Sequence, residues 1–279
     1  MGSRQVVSVR HAIWALLVLV PGIAFVVLYR NPANDPTTVA PEQHFHIVSI
    51  ASVACFALAV LAVRQALKSD SARIYLISLG FLTMAGTFAV HGLATPGFLL
   101  DTKHFVVTGF SARIAIWFGA LFFAASVIDY PPAIARGLVR ARMPIFAAVG
   151  LALVMYCLAA LRFPESVPPR IMSADLFLDG TFWSVLAFSG VAAVGYARLY
   201  VKTGEPIYGA VAVGALLMAE AQVGMHIGGL WRWSWWMYHL QLLGAFATML
   251  TFPFAAPEAE EAGAADHSSA PTWPASRVA

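Results

Sequence analysis

Charge is what this chain has least of. Only 11% of its 279 residues are Asp, Glu, Lys or Arg, against about a quarter in an ordinary soluble domain. So few ionic groups exclude a water-soluble enzyme. The net charge of +3 is small and dispersed, which leaves no basic face for a nucleic acid. Cysteine is almost missing as well. Cys55 and Cys157 each stand alone inside an apolar block, with no CxxC and no zinc-ligand spacing, so they form neither a disulfide framework nor a thiolate metal site. HExxH, HxxHH, P-loop and GxGxxG motifs do not occur, which removes the familiar metalloprotease, phosphate-loop and dinucleotide readings.

What is present is apolar residue, 60% of the chain, gathered into eight blocks of membrane-spanning length. A hydrocarbon core of about 30 Å needs roughly 20 such residues per helix. The blocks cover residues 12–29, 45–64, 74–93, 110–128, 144–162, 178–198, 207–228 and 235–254, separated by Pro, Gly or charge. They are continuously apolar, whereas barrel strands alternate over about ten residues. The expected fold is therefore all-α, a polytopic transmembrane helix bundle of about eight spans occupying residues 1–254. The first block reads as an uncleaved signal anchor, because no small-x-small site follows it before Arg30-Asn31-Pro32. Residues 255–279 are rich in Ala, Ser, Pro and acids. They cannot bury enough apolar surface to fold and read as a disordered cytoplasmic tail.

Alternate connections differ in positive charge. Arg4, Arg10, Arg64, Lys68, Arg73, Arg136, Arg140, Arg142, Arg198 and Lys202 fall on one side; Arg30, Lys103, Arg113, Arg162, Arg170 and Arg232 fall on the other. The positive side faces the cytoplasm. Both termini are expected there, in a bacterial inner membrane, with the lipid bilayer as the first partner.

On this topology six histidines gather at the outer end: His44 and His46 opening the second span, His91 closing the third, His104 in the next connection, His226 closing the seventh and His239 in the first turns of the eighth. Imidazole is the commonest metal ligand, and rings converging from neighbouring helices suit zinc, copper or haem iron. The candidate metal ligands are His44, His46, His91, His226 and His239. His44 and His46 are two residues apart, about 200° around a helix, so only one of them can face inward. The alternative is that these rings bond to backbone carbonyls and lipid headgroups. Met225 and Met237 adjoin two of them and would suit copper(I), although methionine also fills apolar cores.

Glu220 is the one carboxylate deep in a span, where it must be protonated, paired or beside water. It and Trp235 join His44, His46 and His91 as candidate ligand-binding residues. The crowd of Trp231, Trp233, Trp235, Trp236 and Tyr238 reads as an interfacial belt or as a stacking surface. Gly224-Met225-His226-Ile227-Gly228 is a GxxxG, which serves close packing within the chain or a homodimer contact.

Two resemblances follow from these strings. Gly109-Phe110-Ser111-Ala112 with His226-Ile227-Gly228-Gly229 faintly resembles the serine and histidine motifs of rhomboid proteases. Ala112 stands where that family has glycine, no assisting asparagine lies near His46, and Ser111 also suits a helix start. Enzyme activity is not the favoured expectation. His44-Phe45-His46, His91-Gly92-Leu93-Ala94-Thr95-Pro96-Gly97 and Gly109-Phe110-Ser111-Ala112 together resemble the multi-span sensory modules that precede adenylate or guanylate cyclase, diguanylate cyclase or histidine kinase domains in bacterial membrane proteins. The likeness covers residues 40–130. It implies signal transduction with His44, His46, His91 and Pro96 at the input site. Residues 255–279 are not expected to form an output domain, so a sensor of this kind is expected to signal through a cytoplasmic partner or a second copy. The other reading is a metal- or haem-binding redox or transport subunit.

Overall fold

The computed structural model describes residues 3–100 and 102–251. The regular backbone there is all helical, and among the described residues the only β-type pairing is two isolated bridges. Nine α-helices follow in chain order: α1 Ser3–Arg30, α2 Pro41–Ser69, α3 Ala72–Leu93, α4 Phe105–Ser126, α5 Pro132–Arg140, α6 Arg142–Arg162, α7 Asp175–Thr203, α8 Pro206–Ile227 and α9 Trp233–Leu250.

Local chemistry sets these boundaries. Pro41, Pro132 and Pro206 open α2, α5 and α8 at the first turn, where the absent N–H would have had no partner. The Ser71 side chain caps α3 by accepting from the Ile74 N–H at 3.3 Å. Gly204, at φ 75°, ends α7 in the left-handed conformation that glycine tolerates best.

Six helices close a ring in the order α2, α3, α4, α7, α8, α9 and back to α2. α1 lies outside against α8 and α9, and α6 lies outside against α3. The outer helices carry apolar residues on nearly every face, and in α6 only Ala160 is buried. In water that would be an aggregation hazard; against lipid tails it is the expected surface. Close approach on the ring comes from small residues. A Cβ added at Gly209 of α8 would overlap the Trp14 ring of α1, so this glycine is what lets α1 dock.

Seven helices, α1–α4 and α6–α8, are long and apolar enough to cross a membrane. α9 is the helix of the eighth block but falls outside that set. Its 18 residues include His239 and Gln241, both buried, and span about 27 Å at 1.5 Å per residue. It tolerates these polar groups because it is packed among α1, α2 and α8.

The connection expected at 129–143 proves to contain α5, a short amphipathic helix. Leu138 packs towards Tyr75, Leu76 and Leu79, while Arg136 and Arg140 face out. Its nine residues were too few to register among membrane-length blocks. The GxxxG of α8 is used inside the chain, Gly224 against Tyr238 and Gly228 against Trp235 of α9. The expected tail at 255–279 and the end of the eighth block lie outside the described residues.

Candidate metal centre and adjoining cavity

α2 and α9 begin, and α3 ends, at the same end of the ring, opposite the start of α1 and the end of α9. That arrangement puts one histidine from each helix at one level. His44, in the first turn of α2, His91, in the last turn of α3, and His239, in the second turn of α9, are all buried. Each offers a ring nitrogen, and these atoms lie within 4.8 Å of one another. The ring centroids are 4.8 Å apart for His44 and His91, 4.9 Å for His44 and His239 and 6.4 Å for His91 and His239.

Hydrogen bonds fix which nitrogen is free. His91 Nδ1 is 2.8 Å from the Thr108 carbonyl oxygen. A carbonyl only accepts, so Nδ1 carries the proton and Nε2 keeps its lone pair. His44 Nδ1 is 2.8 Å from Thr95 Oγ1, whose own proton points to the His91 carbonyl at 3.4 Å. With the hydroxyl proton so used, His44 donates to it and its Nε2 is also bare. Both Nε2 atoms are enclosed without a hydrogen-bond partner, and so are the nitrogens of His239 apart from a contact with the Trp236 backbone too poorly aligned to count as a full bond. Buried polar atoms of this kind are costly. A proton on the far nitrogen, bonded to a carbonyl or hydroxyl, is how metal-ligating imidazoles are oriented.

A haem held between His91 and His239 does not suit these three rings. Their centroids form a triangle with nearly a right angle at His44, so a macrocycle ligated by His91 and His239 would have to pass through the His44 ring. A compact ion needs less room. Bonds of about 2.0–2.1 Å place tetrahedral ligand nitrogens about 3.3 Å apart, so the rings would draw together by at most about 1.5 Å from the 4.8 Å limit.

Beside the triad opens a cavity of about 390 Å³, reached by His44 and His91 and walled by residues that include Trp231, Trp235, Met172, Met225 and Tyr238. Trp235 stacks on His44 with centroids 5.5 Å apart and planes 22° apart. Trp231, at φ 63°, is held in a left-handed conformation that costs a non-glycine residue about 1–2 kcal/mol. The restraint is visible: Thr38 N–H donates to the Trp231 carbonyl at 2.7 Å. Beneath this roof the Asp35 carboxylate, buried, accepts from Ser234 N–H at 2.8 Å and Ser234 Oγ at 2.7 Å, capping α9 from the α1–α2 connection. Trp233 and Trp236 donate their indole N–H groups to Thr38 at 3.0 and 3.1 Å. The aromatic crowd thus divides into two rings, Trp233 and Trp236, that fasten the roof and three, Trp231, Trp235 and Tyr238, that line the cavity.

The other sequence candidates lie apart from the triad. His46 is exposed, with its ring beside Glu42 at 3.8 Å and against Phe45 and Phe98; one turn of α2 cannot aim both it and His44 inward. His226 lines the cavity but turns to α7, stacking on Phe182 at 4.2 Å with Asp179 at 3.5 Å. The short α8–α9 turn brings their helices together without bringing His226 to His239. Glu220 sits in a different place, accepting from Gln241 Nε2 at 3.2 Å and facing Gly22 of α1. Pro96 lines the cavity. Of the methionines, Met225 faces the cavity and Met237 a separate groove beside α2. Ser111 bonds to the Val107 carbonyl and to Tyr156 Oη, both at 2.7 Å, and is no partner of His226.

Arg113 was missed. It lies in the third turn of α4, buried, and it lines the cavity. The signal was present in the sequence as a lone cation inside an apolar block, which is a functional candidate by default. Asp35, Thr95 and Thr108 left no such signal, since their roles depend on partners distant in sequence. Comparison with protein-family models, with curated proteins and with solved structures gave no match.

Proposed function

We propose that this protein binds a single transition-metal ion, zinc or copper, through His44, His91 and His239, and that it works as a membrane sensor of the module type its histidine strings resemble. The observation that carries this reading is the set of buried, unpartnered ring nitrogens contributed by three helices. Three protein ligands, two of which also line a cavity, match the pattern of a site that exchanges ligand, since closed structural sites use four. With the positive-inside orientation, cavity and triad open to the non-cytoplasmic side of a bacterial inner membrane.

An ion drawing α2, α3 and α9 together prefers one helix arrangement over another, and that difference in binding free energy is the whole of the signal available. A cytoplasmic partner or a second copy of the chain receives it. A redox or transport subunit is the competing reading. It is favoured by two polar groups away from the triad: Glu220, which meets Gln241, and the buried Gln222 amide, which has no partner.

The test is metal analysis of the tag-free protein purified in detergent, with zinc(II) and copper(I) titrated onto the chelator-stripped chain. One ion per chain is expected, lost in His91→Ala and His239→Ala and kept in His46→Ala and His226→Ala. Equal metal content in all four variants refutes the site. A redox-inert zinc ion removes the electron-transfer reading.

A further inference from the structure

The cavity beside the triad has a second pole, the Arg113 guanidinium. Arg113 is 9% exposed and its Nη1 is enclosed without an acceptor. Among the described residues it makes no hydrogen bond or ion pair, and no Asp or Glu stands among the residues that line the cavity. It lies within electrostatic reach of Tyr238 and His226, neither of which supplies a negative charge, and the nearby Asp179 carboxylate is engaged with His226 at 3.5 Å. A fixed cation in such a setting is expensive unless an anion completes it. Guanidinium offers a planar fork of donors that matches the two oxygens of a carboxylate.

The rest of the wall sets the ligand's body. Trp231, Trp235, Phe105, Met172, Met225 and Leu230 present aromatic and thioether surface, which suits a hydrocarbon or aromatic ring and offers nothing to the fully hydrated shell of an inorganic anion. A volume of about 390 Å³ falls in the range of small-molecule sites, which are mostly apolar with a few converging polar groups.

We infer that this cavity binds a small monocarboxylate with an apolar body, its carboxylate paired with Arg113 and its body against Trp231 and Trp235. The inference rests on reading the cavity as a ligand site and not on the metal, so the two can fail separately.

The experiment follows tryptophan fluorescence of the chelator-stripped full-length protein in detergent, titrated with sodium benzoate and sodium octanoate and with their neutral counterparts, benzamide and octanamide. Saturable quenching by at least one carboxylate is expected, with affinity at least about tenfold above its amide, as loss of a charge-assisted pair implies. Arg113→Gln should abolish that preference, and Arg113→Lys should retain part of it. Equal binding of acid and amide by the unaltered protein overturns the proposal without recourse to any variant, as does the absence of saturation by both acids. Displacement by phosphate or chloride at equal concentration shows an unselective anion site and overturns the ligand class. Binding of carboxylate in a protein that proves metal-free would leave this inference standing while the metal reading fell.

Discussion

Replacing Asp35 by Ala should loosen the roof of the cavity and the helix that carries His239, although Asp35 is far from α9 in sequence. The carboxylate accepts two bonds from Ser234, at 2.8 and 2.7 Å, and its residue's carbonyl takes a third from Arg232 at 3.2 Å. Alanine keeps the last and loses the first two. Loss of an N-terminal cap costs about 0.5–2 kcal/mol, and stranding the buried Ser234 hydroxyl adds about 1–3 kcal/mol. Ser234 is wholly buried, so water cannot easily replace the carboxylate, and the sum should fall near 3 kcal/mol. For a chain of this length that is about 6–12 °C in melting temperature, measured by static light scattering or intrinsic fluorescence in detergent. Asp35→Asn keeps one acceptor for the Ser234 N–H and should recover about half of the loss. A melting temperature of Asp35→Ala within about 2 °C of the parent would refute the capping argument. It would also remove the reason for treating the α1–α2 connection and the α8–α9 turn as one roof.

The remaining expectations concern packing and ligand choice. Gly209→Ala sets a methyl group against the Trp14 ring; the overlap should cost about 1–3 kcal/mol and free α1, seen as faster proteolysis within the first helix. Met237→Leu should leave copper content and affinity unchanged, because Met237 faces the groove beside α2 and away from the triad, while a drop of tenfold would show that the ion sits elsewhere. His46→Ala should shift thermal stability by less than about 0.5 kcal/mol, as expected for an exposed residue with one weak ion-pair contact.

Which histidines matter was only half visible in the sequence. The periodicity of α2 required that His44 and His46 diverge, and they do, but nothing in the string decides which one turns inward. Spacing along the chain placed His226 next to His239 across a short turn, yet the two rings leave their helices on different sides, one to Phe182 of α7 and one to the triad. Arg113 was visible as a charge in an apolar block and was counted only for topology. Its importance follows from its having no carboxylate as a direct partner, which is a property of neighbours brought from other helices.

Composition and block length by themselves determined a helical membrane protein. An apolar run that must satisfy its backbone in a medium without water has no other regular solution, short of a barrel, and this chain lacks barrel alternation. They also determined that polar side chains inside those runs would need partners. The tertiary structure alone decided who the partners are: the closing of α9 onto α2 brings residues almost 200 positions apart within bonding distance, as at Asp35 and Ser234. Helix rotation about its own axis, set by packing against neighbours, chose which three imidazoles meet.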